Sequence, residues 1–200
     1  MVIMLNGIVV DHDPQIRKAG GLLILGGGRD VWADYLSAKE ILEHYEVMCV
    51  NDIAIHFSVE PLHHAVSMHK KVLSAIRTIR REKSYLERVH THSVKPHLDV
   101  DTAWTIQCAG PTSGGFAAQI AVAMGFTKII LCGIPIDNSG HYFDPPDGDS
   151  NHSVKFGDKH NIVGWRQLHE NNEYARNRLR SMSGRTASIF GEPTIDWARS

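Results

Sequence analysis

Thr112-Ser113-Gly114-Gly115 stands directly ahead of Phe116-Ala117-Ala118-Gln119-Ile120-Ala121-Val122-Ala123-Met124, a run in which Gln119 alone is polar. Such a run predicts a helix that is buried on nearly every side. A hydroxyl just before it is an N-cap: Thr112 or Ser113 accepts from an orphan amide of the first turn, and Gly114 and Gly115 leave neighbouring amides uncovered. A helix start of this kind attracts phosphate or carboxylate. Gly125 is placed to end the helix. Lys128-Ile129-Ile130-Leu131-Cys132 then reads as a buried parallel strand, and the chain beyond it reaches the carboxylate of Asp137. One helix–strand unit thus carries polar groups at both open ends, as a nucleotide site requires.

Other polar groups fall at similar places. Gly26-Gly27-Gly28 follows an apolar run, Asn51 and Asp52 follow a second, and Ser67 and His69 a third. In doubly wound sheets ligands bind at the carboxyl ends of the strands, so Gly26, Gly27, Gly28, Asn51, Thr112, Ser113, Gly114 and Asp137 are expected to line one nucleotide cleft. The triple glycine suits a phosphate cradle and a tight strand-to-helix turn about equally. Gly-Gly-Gly-Arg-Asp is not the Gly-x-Gly-x-x-Gly of nicotinamide folds, and no Walker lysine follows it.

The stretch from Asp137 to Asn161 is rich in Gly, Pro, Asp, Asn and His and reads as a polar, lid-like loop. Asp137, His141, Asp144, Asp147, Asp149, His152, Asp158 and His160 are of types that hold Mg, Mn or Zn. Their spacing is irregular, so no metal site is expected unless the reaction is a diphosphate transfer, which needs a divalent cation on its phosphates.

The elements that must position these groups follow from periodicity. Strands are expected at Gly20–Leu25, Glu46–Asp52, His64–His69, Glu87–His92 (near an edge), Lys128–Gly133 and Thr186–Phe190. Helices are expected at Asp30–His44, Lys70–Tyr85, the Phe116 run, and Val163–Met182, where Trp165, Leu168, Asn172, Ala175, Leu179 and Met182 recur three and four apart. Residues 1–19 form an N-terminal extension, with Ile8-Val9-Val10 as a possible edge strand. The alternation argues for an α/β, three-layer Rossmann-like fold: one domain over residues 1–200 with a mostly parallel, doubly wound sheet.

Composition bounds the function. The 200 residues carry a formal charge of −1, so no global field favours nucleic acid or an anionic membrane. No apolar run reaches the roughly 20 residues of a membrane span. Cys49, Cys108 and Cys132 lack metal or redox spacing, and no leader is read in Met1–Leu5, so buried thiols in a cytoplasmic, reducing compartment are expected. The 13 histidines form no tight ligand motif and each reads singly as a packed or surface imidazole.

The line TSGGFAAQIAVAMGFTKIILCGIPID resembles the TSG–helix–strand–GID segment of bacterial sialyltransferases, glycosyltransferase family 42. LLILGGG…EVMCVND is similar to that family's glycine loop and Asn-terminated strand. The same outline is shared by the domain of unknown function 115 group, which includes 6-hydroxymethylpterin diphosphokinases. The resemblance implies a CMP-type nucleotide-sugar donor bound at Gly27, Gly28, Asn51, Ser113 and Gly114, with no tightly bound cofactor or essential metal. It implies a glycan-like acceptor whose hydroxyl is deprotonated by a late-loop histidine, His160 by position or else His152. The family neutralises the leaving phosphate with late-loop tyrosines; here Tyr142, Lys155 and Lys159 are available. The chain departs from the family at Gly-Gly-Arg-Asp after the first loop and at Pro135. Two further readings stand beside it: a metal-dependent diphosphotransferase, and a non-catalytic Rossmann-like module. A homo-oligomer in which another subunit completes the acceptor side is also compatible with so short a chain.

Overall fold

The computed structural model describes residues 2–5, 8–11, 18–83, 88–106, 112–137, 139–144 and 159–200. Nine strands form one sheet: β1 (Val2–Leu5), β2 (Ile8–Asp11), β3 (Lys18–Leu25), β4 (Tyr45–Val50), β5 (His64–Val66), β6 (His90–Ser93), β7 (Thr102–Trp104), β8 (Phe126–Cys132) and β9 (Leu179–Ser181), in the order β2-β1-β7-β6-β5-β4-β3-β8-β9. The seven strands from β7 to β9 run parallel. The β1–β2 hairpin joins β7 antiparallel, with β2 at the outer edge. The architecture is α/β and Rossmann-like. Among the described residues no helix is long and apolar enough to cross a membrane.

Strand periodicity divides the core in two. Leu22, Ile24, Met48, Val50, Ile129 and Leu131 face α4 (Ser113–Ala123), α5 (Lys159–Asn171), α6 (Glu173–Arg178) and α7 (Gly184–Phe190). Leu23, Leu25, Val47, Cys49, Ile130 and Cys132 face α1 (Val31–Lys39), α2 (Ile53–His56) and α3 (Lys70–Glu82). A short α8 (Ile195–Arg199) ends the chain. Helix α4 is buried at every residue but Gly114, Gln119 included, and Gly125 follows it at φ 87°. Burial pushes the Cys49 and Cys132 thiols upward, so both are inert. Cys108 lies outside the described residues.

Several elements differ from expectation. Helix α1 ends at Lys39 rather than His44, although Leu42 still packs inward. Strand β6 lies between β5 and β7 rather than near an edge. The single helix expected over Val163–Met182 is broken. Asn172 takes an extended backbone, its side chain caps α6 through Ala175 N at 3.0 Å, and Leu179–Ser181 becomes a strand on β8. Helical spacing at Leu179 and Met182 yields there to the hydrogen bonds that the β8 edge offers. Thr186–Phe190, read as a strand, lies in α7. The Thr186 hydroxyl donates to the Ile134 carbonyl at 2.6 Å, and Phe190 packs edge-on against Trp165. Thr, Ile and Phe suit either state, and these tertiary partners select the helix.

Histidines gather on one sheet face. Trp104 Nε1–H donates to His92 Nδ1 at 2.9 Å, which leaves the proton of a neutral His92 on Nε2. That nitrogen lies 3.1 Å from His64 Nδ1, and His64 Nε2 lies 2.7 Å from the Glu46 carboxylate. Only one direction satisfies every atom: Trp104 to His92 to His64 to Glu46, with both rings neutral. His90 sits beside them, its ring 4.8 Å from that of His92. Burial lowers its pKa, helped by the Arg88 and Arg77 charges and opposed by Asp101. A base with a lowered folded pKa binds fewer protons folded than unfolded, so stability falls as pH drops below about 6.5. The expected outcome is a melting temperature lower at about pH 5 than at about pH 7, read by circular dichroism; His90→Asn flattens part of the slope. A profile level across that window contradicts the assignment.

Candidate functional site

The parallel strands change direction of succession at β3, which has β4 on one side and β8 on the other. Loops leaving the carboxyl ends of β3 and β8 therefore diverge, and a crevice opens between them. Its described lining comprises Gly26, Gly27, Gly28, Val50, Asn51, Thr112, Ser113, Gly114, the loop from Gly133 to Asp137, Gly140 and His141. Counted to its open mouth, with the solvent space there included, it spans about 710 Å³.

All eight residues expected at a nucleotide cleft line this one crevice. Each arrives by a local cause. Thr112 has the extended backbone of an N-cap, and its Oγ1 accepts from Gly115 N at 3.1 Å. The cap is thus Thr112 and not Ser113. The amides of Ser113 and Gly114 have no intrahelical acceptor by position, as at the start of any helix. Asn51 follows β4 in the left-handed region, φ 58°. The Ser67 hydroxyl accepts from His69 N at 3.0 Å and donates to Asn51 Oδ1 at 2.8 Å. The amide orientation follows: Asn51 turns its NH2 group away from Ser67. Ser67 and His69 support the crevice from behind and do not line it. Asp52 does not line it either; its carboxylate accepts from the Tyr142 hydroxyl at 3.3 Å, and burial followed by this carboxylate pushes the Tyr142 phenol upward.

The glycine turn proves to be a seam. Gly26 N donates to Cys132 O and Gly28 N to Gly133 O, both at 2.8 Å. Two of its amides are spent on the β8 end, so the tight-turn role dominates over the cradle. The facing loop is over-determined. Gly133 N donates to Asp34 Oδ2 at 2.8 Å, Arg185 N to Pro135 O at 2.8 Å, and Thr186 Oγ1 to Ile134 O. These ties hold Ile136 at φ 51°, a conformation that costs a β-branched residue about 1–3 kcal/mol. Asp137 follows, its Oδ1 accepting from Ser139 N at 2.9 Å. Strain on both walls of one crevice, at Asn51 and Ile136, marks a surface shaped for something other than stability.

Sequence reasoning missed Asp34. It is a buried carboxylate on α1 that also accepts from Ser183 Oγ at 2.8 Å. Burial raises its pKa, against the opposing effect of its two donors. It holds α1, the β8 loop and the start of α7 together. Asp34→Ala leaves a buried amide and a half-buried hydroxyl without this acceptor, and a loss of about 2–3 kcal/mol is expected in urea unfolding. Asp34→Asn recovers part of that loss through its carbonyl oxygen. Equal stability of Asp34→Ala and wild type refutes this role.

His141 was expected only within an irregular metal set, yet it lines the crevice with its Nδ1 2.9 Å from Gly27 O. Among the described residues no group of three His, Cys, Asp or Glu side chains is placed to hold a metal ion. Asp147, Asp149, His152, Lys155 and Asp158 lie outside the described residues. The backbone of His160 stands in the first turn of α5. Trp165 of that helix packs in the same core as α4, with Cζ2 3.7 Å from where a Gly114 Cβ would stand.

Among solved structures, the fold is similar to that of the sialyltransferase CstII from Campylobacter jejuni, solved in complex with a substrate analogue, cytidine-5'-monophosphate. The likeness has a TM-score of 0.59 and covers 88% of this chain and 86% of that one, at 14% sequence identity. No protein-family model and no curated protein sequence matches the chain.

Proposed function

We propose that the crevice binds the nucleotide of a CMP-type sugar donor and that the protein transfers the sugar to an acceptor hydroxyl. The observation that carries this reading is the convergence of Gly26–Gly28, Asn51, Thr112–Gly114 and Asp137 on one crevice at the switch point of the sheet. The lining offers two kinds of polar group: donors, in the Asn51 NH2 group and the Ser113 and Gly114 amides, and an acceptor, in the Asp137 carboxylate. An anionic group fits the first and hydroxyls fit the second, which is the polarity of a sugar nucleotide. The nucleotide in the CstII complex is of the same class.

In the transfer, the acceptor oxygen forms a bond to the anomeric carbon. The bond from that carbon to the phosphate oxygen breaks, and the nucleotide leaves with the electron pair. His160 is assigned to take the hydroxyl proton, from the first turn of α5; His152 is the alternative base. An imidazole suits the task because its unperturbed pKa lies near neutrality.

Isothermal titration with CMP, UMP, GMP and their diphosphates is the test. Saturable binding of CMP in preference to the purine nucleotides is expected without added metal. Absence of heat with every nucleotide at millimolar concentration removes the reading. Binding that appears only with Mg and prefers a purine triphosphate moves the assignment to diphosphate transfer.

A further inference from the structure

Among the described residues lining the crevice none is lysine or arginine, Asp137 is the one acid, and His141 is the one side chain that can become a cation. We propose that His141 neutralises the phosphoryl oxygens of the bound nucleotide, an inference that rests on the nucleotide reading above. The geometry prepares the ring for this. Gly27 O can only accept, so the His141 Nδ1 facing it at 2.9 Å carries a hydrogen. Proton uptake therefore takes place at Nε2, and the resulting imidazolium keeps its bond to Gly27. The residue is held from several sides. Its backbone bridges to Gly28, its amide donates to Asp144 Oδ2 at 2.7 Å, and its ring stacks on Phe143 with centroids 5.1 Å apart. The next amide, of Tyr142, donates to Gly27 O at 3.0 Å.

Position 27 leaves room for nothing else. A Cβ built there would stand 2.9 Å from His141 Nδ1, so the bare glycine and the imidazole are complementary halves of one wall. Among the described residues the charged groups near the ring include Asp144 on its own turn, Arg29, whose Nε donates to Ser139 O at 2.7 Å, Asp137 within the crevice, and Asp52 behind Tyr142. In the described lining this imidazole is the one group that can add positive charge to the neutral donors of Asn51 and α4.

The test compares CMP with cytidine by isothermal titration on wild type and His141→Gln, which keeps a hydrogen-bonding side chain without the charge. Weakening of CMP binding by about tenfold is expected, with cytidine changed less than about twofold. Titrations in two buffers of different ionisation heat should show greater proton uptake on CMP binding by wild type than by the variant, the phosphate's own titration being common to both. His141→Lys, which keeps a cation, retains the preference for CMP over cytidine and serves if the glutamine variant fails to fold. Equal losses for both ligands, or unchanged CMP affinity and proton uptake, overturn the proposal while leaving the nucleotide reading intact. Failure of wild type to bind CMP overturns both.

Discussion

Replacing Gly133 by alanine should lower the unfolding free energy by about 4 kcal/mol and the melting temperature by about 10 °C. Two effects add. Gly133 sits at φ 62°, and an L side chain in the left-handed region costs about 1–2 kcal/mol. A Cβ there would also stand 2.4 Å from Val31 Cβ and 2.8 Å from Val31 Cα. The second neighbour is main chain at the first turn of α1, so relief requires moving a helix or opening the sheet end, and overpacking of this kind adds about 1–3 kcal/mol. Movement would also strip the Gly133 amide from Asp34 and the Gly133 carbonyl from Gly28. Gly114→Ala is the control. Its Cβ would meet side-chain atoms alone, Ile134 Cγ2 at 3.3 Å and Trp165 Cζ2 at 3.7 Å, with no main chain in the way, and alanine favours the helix by up to about 1 kcal/mol. Chemical denaturation followed by tryptophan fluorescence decides. A Gly133→Ala variant within 1 kcal/mol of wild type, on the order of the measurement's own spread, shows that this junction is not the rigid seam described here.

The second large effect is on binding. Ser113→Trp places an indole at the first residue of α4, in a crevice that Asn51 and Ile134 also line. CMP affinity should fall by more than about a hundredfold, a loss above roughly 2.7 kcal/mol. The Thr112 cap is untouched, so the far-ultraviolet dichroism should be unchanged. Ser113→Ala separates crowding from chemistry. It deletes a hydroxyl worth about 1 kcal/mol, so about a fivefold loss is expected. Wild-type CMP affinity in the tryptophan variant would move the nucleotide out of this crevice.

Both predictions act on the same piece of structure, the junction where the β3 turn, the β8 loop and the start of α4 meet. Strain at Asn51 and Ile136 is tolerated there because several hydrogen bonds from distant elements hold each loop. Loops so constrained keep their donors aimed before a ligand arrives, and the ordering cost of binding is correspondingly small.

Local pattern accounts for what was legible in the residues. Unbroken apolar runs marked Leu22–Leu25 and Ile129–Cys132 as buried strands. The hydroxyl-then-apolar signature located the start of α4, and the strand-end rule gathered Gly26–Gly28, Asn51, Thr112–Gly114 and Asp137 before any coordinates. These signals are short-range: capping, periodicity and turn chemistry each depend on neighbours within about four residues. What only the tertiary structure decided depends on partners far along the chain. Asp34 meets Gly133 and Ser183 across 99 and 149 positions, and His141 meets Gly27 across 114. Leu179–Ser181 left its helical spacing for the β8 edge, and Thr186–Phe190 left its strand propensity for a hydroxyl bond to Ile134. Val2–Leu5 carry no marking that would send them to β7. A hydrogen bond between two loops is satisfied by whichever backbone group lies opposite, and that identity is set by the packing of whole elements rather than by any motif at either end.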